Sequence, residues 1–310
     1  MTSRAAPSIA VRAPAKLNLF LAVGPPAEDG YHALTTVFLA VSLFDTVTVS
    51  HVRAGTGLRL AVSGPDSAAV PADASNLAWR AAVLLAQRSG IDADADIAID
   101  KQIPVEAGLA GGSADAAATL VALDGLWGTA LDRGQLAELA AELGSDVPFS
   151  LHGHVALGTG RGDRLSAVLA RGRTDWVLGI ARTGLSTPIV YAELDRLRAQ
   201  RDLPSDGDPA GVLTALRKGD PELLSGALTN DLAVAALSLR PDLRRALRVG
   251  EEAGALGQLI SGSGPTVAYL ARDAEHAITV AARLSAEGLF ASVRVASGPA
   301  PGARFARSTR

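Results

Sequence analysis

Residues Pro104–Leu120 read "PVEAGLAGGSADAAATL": three closely spaced glycines, a serine, then an alanine-rich apolar run. Two readings fit this pattern. The backbone N–H groups at a helix N-terminus could cradle an anion, or a flexible turn could lead into a core helix of small residues. Gly108, Gly111 and Gly112 allow positive φ and close backbone approach, Ser113 adds a hydroxyl donor, and the helix macrodipole favours negative charge at that end. The preceding "DIAIDKQI" (96–103) has strand character and a helix is expected from about Ser113, so the context is strand, loop, helix. Asp115 falls in the first helical turn, where it suits the dipole but would repel phosphate, and is expected to point away from a ligand. No lysine follows the glycines as in a P-loop, and the second spacing of a dinucleotide fingerprint is missing. The loop by itself does not choose between the two readings.

The bulk composition narrows the chemistry. A chain of 310 residues exceeds one usual hydrophobic core, so two lobes are expected. Hydrophobic residues at 48% against 20% charged fit a folded globular protein, and a net charge of −3 carries no footprint for nucleic acid. With no cysteine, disulfide scaffolds, zinc–thiolate clusters and thiol nucleophiles are excluded, which fits a reducing cytoplasm. The first residues, "MTSRAAPSIAVRAPAKLN", hold no continuous apolar segment of a signal peptide, and no run of about 18 apolar residues suggests a membrane span. A cytoplasmic protein without membrane or nucleic-acid partners is expected.

Strand-like and helical segments mix without regular βα alternation, which argues for a two-lobed α+β protein rather than a doubly wound sheet. "DTVTVSHV" (45–52) and "LRLAV" (58–62) read as strands. "NLAWRAAVLLAQRSG" reads as a helix capped by Ser75 or Asn76 and ended at Gly90, and Arg133–Leu143 as a helix with an Asp132/Gln135 capping box that stops at Gly144. "HVALGTGRGDRL" suggests a hairpin or crossover, "WVLGIA" a buried strand, and "DLPSDGDPAG" (202–211) a polar loop. "PDLRRALRVGEEAG" reads as a helix ending at Gly254; a strand–loop–strand, "GQLISGSGPTVAYLA", a helix near Glu275–Glu287 and a closing strand "SVRVAS" follow. The expected domains are 1–160 as an N-terminal lobe, 161–298 as a C-terminal lobe, and 299–310 as a frayed tail.

Three further features bear on the loop. In "APAKLNLFLAV", Lys16 and Asn18 are two apart and share one strand face, unusual in an apolar segment, although a snorkelling strand-end lysine fits as well. "SGSGPT" (261–266) is a second glycine loop, in the other half of the chain, and the two could meet on one polyphosphate or be simple turns. Asp146, in "LGSDVPF", is an isolated carboxylate among apolar neighbours. Pro148 biases Val147 to an extended conformation, so a helix start there is not expected. A partly buried acid needs a cation or donors, and Lys16 is a candidate partner; an Asx-type turn is the simpler alternative.

Taken in order, "APAKLNL", "PVEAGLAGGSADAA" and "SGSGPT" resemble the motifs of the superfamily of galactose, homoserine, mevalonate and phosphomevalonate kinases. "AKLNLFL…DGYH" and "LGSDVPF" are similar to the branch that acts on 4-diphosphocytidyl-2-C-methyl-D-erythritol in the non-mevalonate isoprenoid pathway. The resemblance covers nearly the whole chain. It implies an N-terminal lobe with a left-handed βαβ unit, a ferredoxin-like C-terminal lobe, and transfer of the ATP γ-phosphoryl group to the substrate 2-hydroxyl with Mg²⁺ assisting. By similarity Asp146 is the general base and Lys16 assists it. The triphosphate would be held by Pro104, Val105, Glu106, Ala107, Gly108, Leu109, Ala110, Gly111, Gly112, Ser113 and Ala114, with Asn76 and Lys101 near the adenosine. Tyr31, His32 and Tyr191 would recognise the cytosine, with Asn18, Thr187, Gly262, Ser263 and Gly264 also on the substrate.

Relatives often read G-L-G-G-G-S-S in the loop, where this chain has Ala110 and Ala114; Glu28 also replaces a common basic residue, without an assigned role. A homoserine- or mevalonate-type kinase would keep the glycine loops without needing Tyr31, His32 and Tyr191. A catalytically silent nucleotide binder is disfavoured by Lys16 and Asp146, and a Rossmann oxidoreductase by the missing ribose-binding acid. A monomer or weak homodimer is expected. His152 and His154, two apart, could share a strand face but lack a third ligand, His51 and His276 read as surface residues, and Arg161 with Asp163 reads as a loop pair or a phosphate contact.

Overall fold

The computed structural model describes residues 7–306, apart from 29, 202, 204 and 206. The apolar N-terminal segments form two 19-residue strands, β1 (Ser8–Pro26) and β2 (His32–Ser50), paired antiparallel. Register shifts interrupt the ladder between Pro14 and Ala15 and between Asn18 and Phe20. Such irregularities re-aim side chains, and these flank Lys16 and Asn18.

Around this ribbon the N-terminal lobe adds β3 (Leu58–Ser63), α1 (Leu77–Ser89), β4 (Ala95–Asp100), α2 (Gly111–Trp127), α3 (Arg133–Leu143), α4 (Val147–His152), β5 (Val155–Gly160) and β6 (Arg164–Ala167). β3 and β4 are parallel and joined through α1, while β4 and β5 each pair antiparallel with a different part of β2. The second lobe comprises β7 (Thr174–Ile180), α5 (Thr187–Gln200), α6 (Ala210–Lys218), α7 (Pro221–Ser225), β8 (Thr229–Asn230), α8 (Ala233–Leu239), α9 (Leu243–Glu252), β9 (Gly257–Ile260), β10 (Val267–Ala271), α10 (Ala274–Ala286) and β11 (Ser292–Gly298); β12 (Arg304–Phe305) ends the described chain. Its four-stranded antiparallel sheet has the order β11-β7-β10-β9, the split βαβ arrangement of a ferredoxin-like unit. The fold is α+β. No helix among the described residues is long and apolar enough to cross a membrane.

Local chemistry explains where the helices begin. Asn76 caps α1 by accepting from Ala78 N at 2.8 Å, and Asp132 with Gln135 forms the expected capping box on α3. α2 starts at Gly111, two residues ahead of the expectation. Its Ala114, Ala116, Ala117, Ala118, Leu120, Ala122 and Leu123 are all fully buried. A helix apolar all round belongs inside a core, and the alanines let β1, β2 and α1 approach it closely. That packing pins the helix N-terminus.

Several expectations are corrected. The first sheet runs on through the β5–β6 hairpin to Ala167, and the second sheet begins at Thr174. The short β8 returns from the second half to pair with β1. Val147 is not extended: it opens α4, because Pro148 sits in the first helical turn, where its missing N–H costs nothing. His152 ends that helix and His154 follows a glycine, so the two do not share a strand face.

The tail is not frayed from 299. His154 N donates to Ala300 O at 2.6 Å, Ala300 N to Ala40 O at 2.8 Å and Ala303 N to Ser150 O at 2.9 Å, and β12 pairs with Val11 and Arg12 of β1. Residues 307–310, expected to fray as well, and 202, 204 and 206 of the expected polar loop lie outside the described residues.

Candidate active site

A cavity of about 480 Å³ opens between the lobes, walled by β1, β2, the loop before α2, the turn before α4, the start of α5 and the loop between β9 and β10. Its polar character begins with the N-terminus of α2. Ala110, at the N-cap with φ 60°, offers no capping side chain. The N–H groups of Gly111, Gly112 and Ser113, the first three helical positions, therefore lack intrahelical partners and face the cavity with the positive end of the macrodipole. An anion is the chemical complement of that arrangement.

The loop ahead of the helix is tied down from both lobes. Lys16 N donates to Leu109 O at 3.2 Å, while Gly108 O accepts from Lys16 Nζ at 2.9 Å and from Ser261 Oγ at 3.1 Å. Gly108 has φ +74°, and a Cβ there would collide with the Ser261 carbonyl. Across the contact, a Cβ on Gly262 (φ +55°) would lie 2.9 Å from Lys16 Nζ and 3.2 Å from Asn18 Oδ1. Asn230 holds this second loop by donating to Ile260 O and Gly262 O, each at 2.7 Å. The two glycine loops thus meet, at the carbonyl of Gly108.

Lys16 and Asn18 share a face as their spacing required: Lys16 Nζ donates to Asn18 Oδ1 at 2.7 Å, and Asn18 Nδ2 to Thr36 Oγ1 at 2.9 Å. Both are nearly buried. Burial holds the Lys16 ammonium below its ordinary pKa, and the charge of Asp146 opposes that shift. Asp146 occupies the N-cap position of α4 but makes no capping hydrogen bond with its side chain, which keeps that side chain available to the cavity.

Lys101 behaves differently. Its Nζ donates to Asp45 Oδ2 at 2.5 Å and to Asp115 Oδ2 at 2.8 Å, all three side chains being almost completely buried. Asp45 also accepts from Gln102 N at 2.6 Å and Ile103 N at 2.8 Å. Because α2 starts at Gly111, Asp115 lies in its second turn and not in the first as expected, and the cluster welds that turn and the end of β4 to β2, so Lys101 braces the loop more than it offers charge to a ligand. Asp115 turns to Lys101; burial pushes its carboxyl up, and its Oδ1 is buried without a hydrogen-bond partner.

At the other end, His32 lies on Tyr191, their ring centroids 5.0 Å apart, with His32 Nε2 2.9 Å from Asp195 Oδ1. Burial, and then the Asp146 charge, push the Tyr191 phenol up. Thr187 Oγ1 and Ser263 Oγ are 2.8 Å apart. Tyr31 is 56% exposed and carries the Arg161 guanidinium 3.8 Å from its ring centre.

Most expected site residues line the cavity. Leu109 and Ala114 instead point into the core, and Gly264, Tyr31 and His32 do not form its wall, although His32 touches it through Tyr191. Asn76 reaches the cavity but spends its amide on Ala78 N and on Pro71 O, 2.7 Å away. Asp45, Thr36, Asn230 and Asp195 were not identified as site residues from sequence, and Arg161 was read as a loop pair or a phosphate contact. Only Arg161 had a local signal, its glycine-flanked turn.

Comparison with known proteins adds to this geometry. Residues 76–154 match the GHMP kinases N-terminal domain and residues 212–288 the GHMP kinases C-terminal domain. The chain is 56% identical over 297 residues to the 4-diphosphocytidyl-2-C-methyl-D-erythritol kinase of Rhodococcus jostii, covering 96% of this chain and 94% of that protein. A crystal structure of 4-(cytidine 5'-diphospho)-2C-methyl-D-erythritol kinase aligns with TM-score 0.77 and 35% identity, over 93% of this chain and 98% of the other. Homoserine kinase from Cytophaga hutchinsonii, at 19% identity and TM-score 0.75 over 99% of both chains, shares the fold. With both domains matched and similarity along nearly its whole length, the chain belongs to the GHMP kinases and, among them, to the 4-diphosphocytidyl-2-C-methyl-D-erythritol kinase family.

Proposed function

We propose that the chain transfers the γ-phosphoryl group of ATP to the 2-hydroxyl of 4-diphosphocytidyl-2-C-methyl-D-erythritol. The observation that carries this reading is one cavity holding three uncapped helix N–H groups, a buried lysine and a carboxylate not engaged in capping. Phosphoryl transfer asks the protein mainly for positioning and charge stabilisation, and these groups supply both. The names of relatives more than half identical to this chain support the choice of substrate.

In this reading the N–H groups of Gly111, Gly112 and Ser113 bind the triphosphate. The acceptor oxygen attacks the γ-phosphorus as its proton passes to Asp146, and the bond to the ADP oxygen breaks. Lys16, held by Asn18 and Gly108, stabilises charge building on the transferring group. Tyr191 and His32 receive the cytosine. The contact of His32 Nε2 with Asp195 Oδ1 at 2.9 Å fixes the orientation of the ring that receives the base.

Mg²⁺ would neutralise phosphate charge. Among the described residues no group of three or more acidic or histidine side chains could hold an ion, which suits an ion that takes most of its ligands from phosphates and water. The Ser113 hydroxyl and the unpartnered Asp115 Oδ1, both at the phosphate end, fit as its protein ligands.

The test is a product assay with ATP and each of three acceptors: the cytidine-diphospho substrate, homoserine and mevalonate. Turnover of the first alone is expected. Turnover of either other acceptor, with none of the first, rejects the proposal.

A further inference from the structure

Lys16, Asn18 and Thr36 form one polar row on the ribbon of β1 and β2. Asn18 pairs with Phe38 in the ladder, so Thr36, two residues before Phe38, shares its face and lies diagonal to it. Lys16, two residues before Asn18, continues that face. Phe20 pairs with Val37 and Leu21 with Thr36, so β1 spends one residue more than β2 between Asn18 and Phe20. At this irregularity the Phe20 carbonyl accepts from Thr36 Oγ1 at 2.8 Å. All three polar side chains line the cavity and are almost completely buried.

The hydrogen bonds of the row run in one direction, and its far end sets that direction. A carbonyl only accepts, so the single hydroxyl proton of Thr36 is spent on Phe20 O and Oγ1 is left as an acceptor. The group of Asn18 facing it must then be the amide Nδ2, at 2.9 Å, which turns Oδ1 to Lys16 Nζ, at 2.7 Å. A reversed amide would set N–H groups against an ammonium, which has only donors, and an oxygen against a hydroxyl whose proton is committed. Of the three N–H donors of Lys16, one goes to Asn18 Oδ1 and one to Gly108 O at 2.9 Å. With two directions of a tetrahedral ammonium fixed, the third is fixed too, and it is left for the cavity that Lys16 shares with Asp146.

We propose that Thr36 is a positioning residue for phosphoryl transfer: through Asn18 it sets the rotation of the Lys16 ammonium, so that the remaining N–H meets the transferring group. The inference rests on the proposed reaction, in which Lys16 stabilises charge on that group. Thr36 touches neither substrate in this role. Threonine suits the place because its hydroxyl is held by its methyl. A Cβ on Gly158, the partner of Thr36 in β5, would come within 3.1 Å of Thr36 Cγ2, so the bare glycine makes room for the methyl, and the methyl fixes χ1.

The test measures kcat and KM of the full chain with ATP and the cytidine-diphospho acceptor for wild type, Thr36→Val, Thr36→Ser and Lys16→Met, with Thr36→Val also placed in the Lys16→Met background. Valine keeps the shape and removes the hydroxyl, whereas serine keeps the hydroxyl. Thr36→Val is expected to lower kcat by about 3–10-fold, the scale of one hydrogen bond, with the KM for ATP nearly unchanged, and Thr36→Ser to lose less. In the Lys16→Met background Thr36→Val should change kcat by less than about twofold, because no ammonium is left to orient. A purely structural role would lower Tm without this dependence on Lys16. Wild-type kcat in Thr36→Val, an equal loss in Thr36→Ser, or an undiminished loss beside Lys16→Met overturns the inference and leaves the proposed function standing. Thr36→Ala, which removes the hydroxyl without setting a new methyl against the amide, carries the same expectations where the valine variant does not fold. If wild type turns over none of the cytidine-diphospho acceptor, the two fall together.

Discussion

Lys16 and Lys101 are both almost fully buried and line the same cavity, yet they differ in what neutralises them. Lys101 sits between two carboxylates and is held above its ordinary pKa despite burial, whereas Lys16 is bonded only to neutral oxygens, feels Asp146 as a neighbouring charge, and is held below it. A buried cation with its charge balanced is architecture; one left underbalanced is poised for an incoming anion. The contrast separates structure from chemistry between residues of one type in one pocket.

The sharpest way to break this comparison is through Asp146. Asp146→Asn should lower kcat by about 10²–10⁴-fold, the usual scale for loss of a general base, with ATP affinity by calorimetry nearly unchanged. Wild-type turnover in that variant would remove the base and leave Lys16 without a chemical partner. Lys101→Met comes next. It strands Asp45 and Asp115, and breaking such a buried pair costs about 3–5 kcal/mol, measurable by urea denaturation.

Lys16→Met should do the reverse, lowering kcat by about 10²–10³-fold while moving stability by less than about 1.5 kcal/mol. Equal stability losses in the two lysine variants would erase the distinction.

The pH dependence of stability sharpens it further. Lys16 has a folded pKa below 10.5, so between that value and 10.5 the unfolded chain holds the extra proton and stability rises with pH. Lys101 has a folded pKa above 10.5, so its contribution is complete below 10.5 and is lost as pH rises through the folded value. Denaturation followed at pH values approaching 10.5 from below should therefore lose its rising component in Lys16→Met.

The smallest effect is expected at Ala110, whose φ of 60° is costly for a residue with a Cβ. Ala110→Gly should stabilise by about 0.5–1 kcal/mol, seen as a higher Tm, because relief of the left-handed strain exceeds the added chain entropy.

What could be read in the sequence was local. The Asp132/Gln135 box, the Asn76 cap, the β5–β6 hairpin and the shared face of Lys16 and Asn18 all depend on spacings of two to a few residues. The motif order carried the family because several such signals occur together. What escaped was long-range. Asp45 reaches Lys101 across 56 positions and Asn230 reaches the second glycine loop across 30 or more, and neither residue has any pattern that foretells a partner. Val147 was misread for another reason. The rule that a residue before proline is extended yields at a helix start, where the missing N–H is not needed. The tail was misread because prolines and arginines suggest a solvated end, whereas backbone hydrogen bonds to Ala40, Ser150 and His154 hold it.

That strap also bears on the order in which the protein is made. Residues 298–306 are synthesised after every element they touch, yet they bond Ser150 in α4, His154 immediately beyond it, and β1 and β2 on the opposite side. Cutting the chain before residue 298 would remove the hydrogen bonds at Ser150 and His154, which hold α4 and the residues just beyond it, and would leave the contacts of Gly108 with Lys16 and Ser261 in place. A chain shortened in this way is expected to lose more turnover than nucleotide affinity, because Asp146 stands at the N-cap of the helix that the strap supports.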